Sequence, residues 1–150
     1  MRLSEYFENA EGIGVLATAD ADGRVNAAIY SRPHFLDPND ESTLVLIMAD
    51  RLSHRNIAAN PHAAYLFVEH RDEYVGKRLS LSKIKEETDP EKIQALRRRK
   101  LPPECDEEKM SFLVYFHVDG VRPLVGDDWL AATAVRDGKS QQVIVVNADS

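Results

Sequence analysis

Consecutive apolar runs in this chain are joined mostly by short turns, and helical periodicity interrupts them at only two places. That order excludes the regular strand–helix alternation of a doubly wound sheet. It favours an antiparallel sheet curled into a barrel, since closure removes exposed edges. The expected fold is mainly β with short helices (α+β). Residues 13–19 read as the first strand, and Asp20-Ala21-Asp22-Gly23 as a hairpin turn in which Gly23 supplies a positive φ. Residues 24–35 return as a second strand bent near Pro33, followed by strands at 43–49 and 63–69. In residues 77–85, Leu79 and Leu81 share one face and Arg78, Ser80 and Ser82 the other; Ile84 breaks the parity, which predicts a bulge. Residues 111–118 are largely apolar on both faces and read as a central strand. Asp119-Gly120 reads as a turn into a last strand at 121–125.

Two helices flank this set. Residues 3–10 place Leu3, Tyr6, Phe7 and Ala10 on one side, with Ser4 as cap and Gly12 and Gly14 as stops. Asp89-Pro90-Glu91 is a helix start, with Asp89 capping and Pro90 at the first helical position. Ile93, Leu96 and Lys100 continue that helix, and Pro102-Pro103 closes it. The basic run Arg97-Arg98-Arg99-Lys100 reads as its solvated end, where cations complement the helix dipole. The expected division is a barrel domain over residues 1–126. Residues 127–150 form a C-terminal extension, either a hairpin through Asp137-Gly138 or an arm lying on a second subunit.

At 150 residues the chain suits one domain with its own core. A net charge of −6 argues against nucleic-acid and anionic-membrane partners. The start lacks the apolar region of a secretory leader, and no apolar segment reaches membrane-spanning length, so a cytoplasmic setting is expected. Cys105 is the one cysteine and lies among Glu104, Asp106, Glu107 and Glu108, acids that raise a thiol's pKa and blunt it as a nucleophile. The five histidines show no HxH or HExxH spacing, so no zinc or other metal site is expected. No P-loop, Gly-x-Ser-x-Gly or Gly-x-Gly-x-x-Gly pattern is present.

The segment from Met48 to Pro61 carries the chemistry. An apolar strand breaks into a polar turn, and a short helix follows that must end before Pro61. Arg51, Ser53 and Arg55 cluster where that helix begins, and a helix start suits an anion such as phosphate. The alternative is an ordinary helix capped by Asp50 or Ser53, with its arginines in solvent.

Two motifs together carry a likeness: Gly-Val-Leu-Ala-Thr-Ala-Asp-Ala-Asp-Gly-Arg-Val-Asn over residues 14–26, and the strand–turn–helix ending in Asn60-Pro61 before His62-Ala63-Ala64-Tyr65-Leu66-Phe67. In element order, from about residue 3 to 125, the chain resembles the FMN-binding split β-barrel proteins related to pyridoxamine 5′-phosphate oxidase. The resemblance implies a homodimer with flavin mononucleotide in a groove at the subunit interface. It implies that Asn26, Ala27, Ala28 and Ile29 face the flavin, and that Met48, Ala49, Asp50 and Arg51, leading into Leu52, pass along the ribityl chain. It sets Ser53 at the phosphate, with charge from Arg51, Arg55 or Arg32. Met48, Ile29 and Tyr30 suit an apolar slot for the ring, and Trp129 is a candidate to stack on it from the partner chain. The likeness has gaps: relatives carry a lysine near the Ser53 position, and the substrate-binding arginine and histidine of the oxidase proper have no match in Val121-Arg122-Pro123-Leu124-Val125. The function implied is a flavoprotein that acts as an oxidoreductase or flavin electron carrier on a small-molecule redox partner. The alternatives are a non-enzymatic dimeric binding module, or a haem or deazaflavin protein on the same scaffold.

Overall fold

The computed structural model describes residues 1–98 and 111–126. Six strands form one antiparallel sheet: β1 (Gly12–Ala19), β2 (Val25–Tyr30), β3 (Thr43–Ala49), β4 (His62–Glu69), β5 (Gly76–Glu87) and β6 (Ser111–Pro123). Three short helices accompany them: α1 (Leu3–Asn9), α2 (Leu52–Ala59) and α3 (Pro90–Leu96). The strand order is β2-β1-β4-β5-β6-β3. β2 and β3 are the two edges, yet the segment after β2 returns to the far edge through a bridge between His34 and Val45. The sheet therefore curls into a split barrel.

Alternation sets the inside. On β1, Gly14, Leu16 and Thr18 are buried while Ile13 is exposed. Leu16, Leu46, Met48, Phe67, Leu79, Leu81, Val114 and Phe116 fill the interior. Phe7 of α1 is wholly buried among them, with its ring edge-on to Phe67 at 5.5 Å and to Tyr65 at 6.0 Å. Burying one such ring stabilises by about 2–3 kcal/mol, so α1 is a plug in the barrel. Gly14 lies opposite Tyr30, and a Cβ there would come 2.0 Å from the Tyr65 hydroxyl oxygen. The glycine thus belongs to close strand packing rather than to a helix stop.

Other expectations shift in the same way. The N-cap of α1 is Arg2, while Ser4 donates its hydroxyl to the Pro38 carbonyl at 2.9 Å. The second strand ends at Tyr30, five residues before the expected limit, because the chain turns inward to bury Pro33 and His34. Asp119-Gly120 is not a turn. β6 runs unbroken, and its register against β5 slips between Ser80/Gly120 and Leu81/Val118, so Asp119 is the extra residue of a bulge. A second slip, between Lys83 and Lys85, falls at Ile84 as its parity predicts. α3 starts as expected, with the Lys92 N–H donating to Asp89 Oδ1 at 3.2 Å and Pro90 in the first turn. It ends at Leu96, short of Lys100, and the expected end at Pro102-Pro103 lies outside the described residues. The extension at 127–150 also lies outside them.

Candidate functional site

Where β3 runs into α2, its alternation splits the strand between core and groove. Leu46 and Met48 point into the barrel; Ile47 and Ala49 line a groove on the other side. The chain then leaves the strand through Arg51, whose φ of −137° and ψ of −173° are extended, and α2 begins at Leu52. Arg51 is therefore the N-cap residue, in place of Asp50 or Ser53, and its side chain makes no cap hydrogen bond. Ser53 falls in the first turn, 3% exposed. β2 supplies the facing wall through Asn26, Ala28, Ile29 and Tyr30, continued by Ser31. Arg97, just past α3, and Ser111, at the start of β6, also line the groove. Its volume is about 390 Å³, within the range typical of small-molecule sites.

The polar groups in this groove are connected. Asn26 Nδ2 donates to Ser53 Oγ at 3.3 Å. The Tyr30 phenol lines the same groove as Ser53. Burial raises the Tyr30 pKa, with Ser53 and the Arg51 charge working against that rise, so the phenol stays protonated at neutral pH. Arg97 Nη2 donates to Ser111 Oγ at 3.1 Å, and its Nε is buried with no hydrogen-bond partner among the described residues. Beneath the groove, Asn56 Nδ2 donates to Thr18 Oγ1 at 3.0 Å and fixes α2 on β1. Arg51, Arg97, Tyr30 and Ser53 line the groove together with the small residues Ala28 and Ala49. The set suits an anionic head and a flat ring lying close to the backbone.

Of the residues singled out in the sequence, Asn26, Ala28, Ile29, Ala49, Arg51, Leu52 and Ser53 line the groove. Others lie elsewhere. Ala27 is exposed on β2 outside the groove lining, and Met48 is wholly buried in the barrel. Arg32 turns to the end of α1, where Nη1 donates to the carbonyls of Phe7 at 3.0 Å, Glu8 at 3.2 Å and Ala10 at 2.6 Å. Asp50 and Arg55 are exposed and outside the groove lining. Trp129 lies outside the described residues. Ile47, Ser31, Ser111 and Arg97 are additions. Ile47 shares the parity of Ala49 and was open to that argument. Arg97 carries no local signal, because its position depends on α3 stopping at Leu96.

Comparison with known proteins agrees with this architecture. The family described as pyridoxamine 5′-phosphate oxidase matches residues 4–122. The chain belongs to that family. Its members include flavin-binding proteins and oxidoreductases, and the family's split barrel recurs among solved structures of low identity. An F420 reductase is 16% identical over 78% of this chain and 94% of its own, with a TM-score of 0.61. HupZ from Group A Streptococcus is 20% identical over 81% and 90%, also at 0.61. An FMN-binding protein from Syntrophomonas wolfei is 12% identical over 82% and 84%, again at 0.61. No curated protein sequence matches the chain. Among the described residues, no helix is long and apolar enough to cross a membrane, and no cluster of three or more His, Cys, Asp or Glu side chains is placed to hold a metal.

Proposed function

We propose that this chain is a homodimeric flavoprotein that binds FMN in the groove between β2, β3 and α2 and acts as an oxidoreductase or flavin electron carrier. The observation that carries the reading is the groove itself: two arginines, Arg51 and Arg97, line a cavity of about 390 Å³ in a chain of this family. The donor set fits the group. Arg51 and Arg97 suit a phosphate, and Ala28 and Ala49 leave room for a ring against the strands. Bound flavin supplies the hydride or electron transfer; the protein binds, orients and shields it.

An apolar outer face supports the dimer. On β1, β2 and β4 the outward row includes Val15 beside Ile29 and Leu66, Ala17 beside Ala27 and Ala64, and Ala19 beside Val25. Val25 is 82% and Ile29 72% exposed, and Ile29 also edges the groove. A continuous apolar sheet face next to a ligand groove suits burial against a second copy.

Titration with FMN, followed by flavin fluorescence, tests the reading. Micromolar or tighter binding is the expected result. Arg51→Ala should weaken it by about tenfold or more, the loss of one charge-assisted contact. Absence of FMN binding alongside tight binding of haem or a deazaflavin would contradict the cofactor assignment. Failure to bind any of them would leave a non-enzymatic binding module.

A further inference from the structure

α2 is eight residues long, and Arg51 at its N-cap makes no side-chain cap hydrogen bond. A helix of two turns has little stability of its own, so tertiary contacts must fix where its first turn points. Asn56, bonded to Thr18, holds the middle of the helix on β1. The first turn is held by His54, one residue beyond Ser53. The His54 ring lies flat on Phe112, with centroids 4.0 Å apart and planes within 8°. Its Nε2 lies 3.0 Å from Glu86 Oε1, and the Lys83 ammonium donates to that same oxygen at 2.8 Å. Burial pushes the Glu86 carboxyl up, but the hydrogen bonds from Lys83 and His54 outweigh it and hold the group below its usual value. The carboxylate only accepts, so His54 carries a proton on Nε2 and donates it. Phe112 pairs with Met48 and Glu86 with Val114, which sets ring and carboxylate along one face of the sheet. His54 and Phe112 are outside the groove lining, yet each directly follows a residue inside it, Ser53 and Ser111.

We infer that His54 is a positioning residue: its hydrogen bond to Glu86 and its stack on Phe112 lock the first turn of α2 to β5 and β6, and so set Arg51 and Ser53 for the phosphate of the bound ligand. The inference rests on the flavin reading for the identity of the phosphate's carrier, not for the lock itself. The lock acts on the phosphate end alone, because the slot for the ring at Ala28 and Ala49 belongs to β2 and β3.

Binding of FMN and riboflavin is measured for the wild-type chain, His54→Ala, His54→Gln, Glu86→Ala and the double variant His54→Ala/Glu86→Ala. His54→Ala should weaken FMN by about tenfold and leave riboflavin within about twofold. Retained riboflavin binding also shows that the variant is folded. His54→Gln, whose amide N–H can reach the Glu86 oxygen, should recover part of the loss. Glu86→Ala should weaken FMN as well, and the double variant should be little worse than His54→Ala, because the pair acts as one unit; two residues that stabilised the fold independently would give additive losses. Unchanged FMN affinity in His54→Ala overturns the assignment. So does an equal loss of FMN and riboflavin, a His54→Gln variant no better than His54→Ala, or additive losses in the double variant. Inorganic phosphate, followed through the backbone amide resonances of Arg51 and Ser53, separates the two readings. If wild type binds phosphate but not FMN, and His54→Ala weakens phosphate, the flavin reading falls and the His54 assignment stands. If His54→Ala binds phosphate as wild type does, the His54 assignment falls. If neither FMN nor phosphate binds, both fall.

Discussion

His34 shows how one side chain ties barrel closure to pH. It is 8% exposed where the chain crosses from β2 to β3, and its backbone makes both hydrogen bonds of the bridge to Val45, at 3.0 and 2.8 Å. Burial, then the Arg98 guanidinium, with smaller contributions from Arg32 and Arg97, push its pKa down to about 4, against an opposing pull from Glu8. The ring is therefore neutral in the folded chain. The unfolded chain takes up a proton below its ordinary value near 6.5. Stability from this group is complete above pH 6.5 and is lost as pH falls from there toward 4, by up to about 3 kcal/mol. Urea unfolding at pH 7 and pH 4.5 should show this loss in the wild type and a smaller one in His34→Gln. Equal pH dependence in the two would contradict the assignment. Arg98, next to this histidine, was legible only as a charge. The run it belongs to reads as a solvated helix end, yet its guanidinium donates to the Arg32 carbonyl at 2.8 Å and the Pro33 carbonyl at 2.9 Å. Such contacts span more than sixty residues of sequence, and no local pattern announces them.

Among the elements, α3 matters beyond its seven residues because it delivers Arg97 to the groove. Its start was legible: an aspartate cap followed by proline satisfies the orphan donors of a first turn in any context. Asp89→Ala should cost about 1 kcal/mol in thermal unfolding and weaken FMN slightly, through Arg97. An unchanged melting point would mean that the cap carries no weight. The elements misread were those in which one signal serves two structures. An Asp-Gly pair marks a turn, but it also suits the extra residue of a bulge, and pairing with β5 on both sides of Asp119 decided for the bulge. The long second strand failed for a different reason. Residues 31–35 look extended, but Pro33 and His34 are buried, and His34 pairs with Val45 across the barrel. Ile84 was read correctly because strand parity is a strict alternation, and one residue out of phase has few explanations.

For the molecule as a whole, the order of elements was legible and the assembly of the groove only half so. Alternation along β2 and β3 marks which residues share a face, but α2, α3 and the start of β6 meet at Ser53, Arg97 and Ser111 only once the barrel curls. The apolar outer face of β1, β2 and β4 makes a prediction at this scale. Ile29→Asp should shift the protein from dimer to monomer in sedimentation equilibrium and loosen FMN, since Ile29 belongs to both the face and the groove. An unchanged dimer would place the interface elsewhere. The central claim, that this groove holds a phosphorylated flavin, is tested most directly by a crystal structure grown with excess FMN. Density is expected for the phosphate beside Arg51 and Arg97 and for the ring against Ala28 and Ala49. A groove closed by its own side chains, with flavin absent or bound at another face, would contradict it.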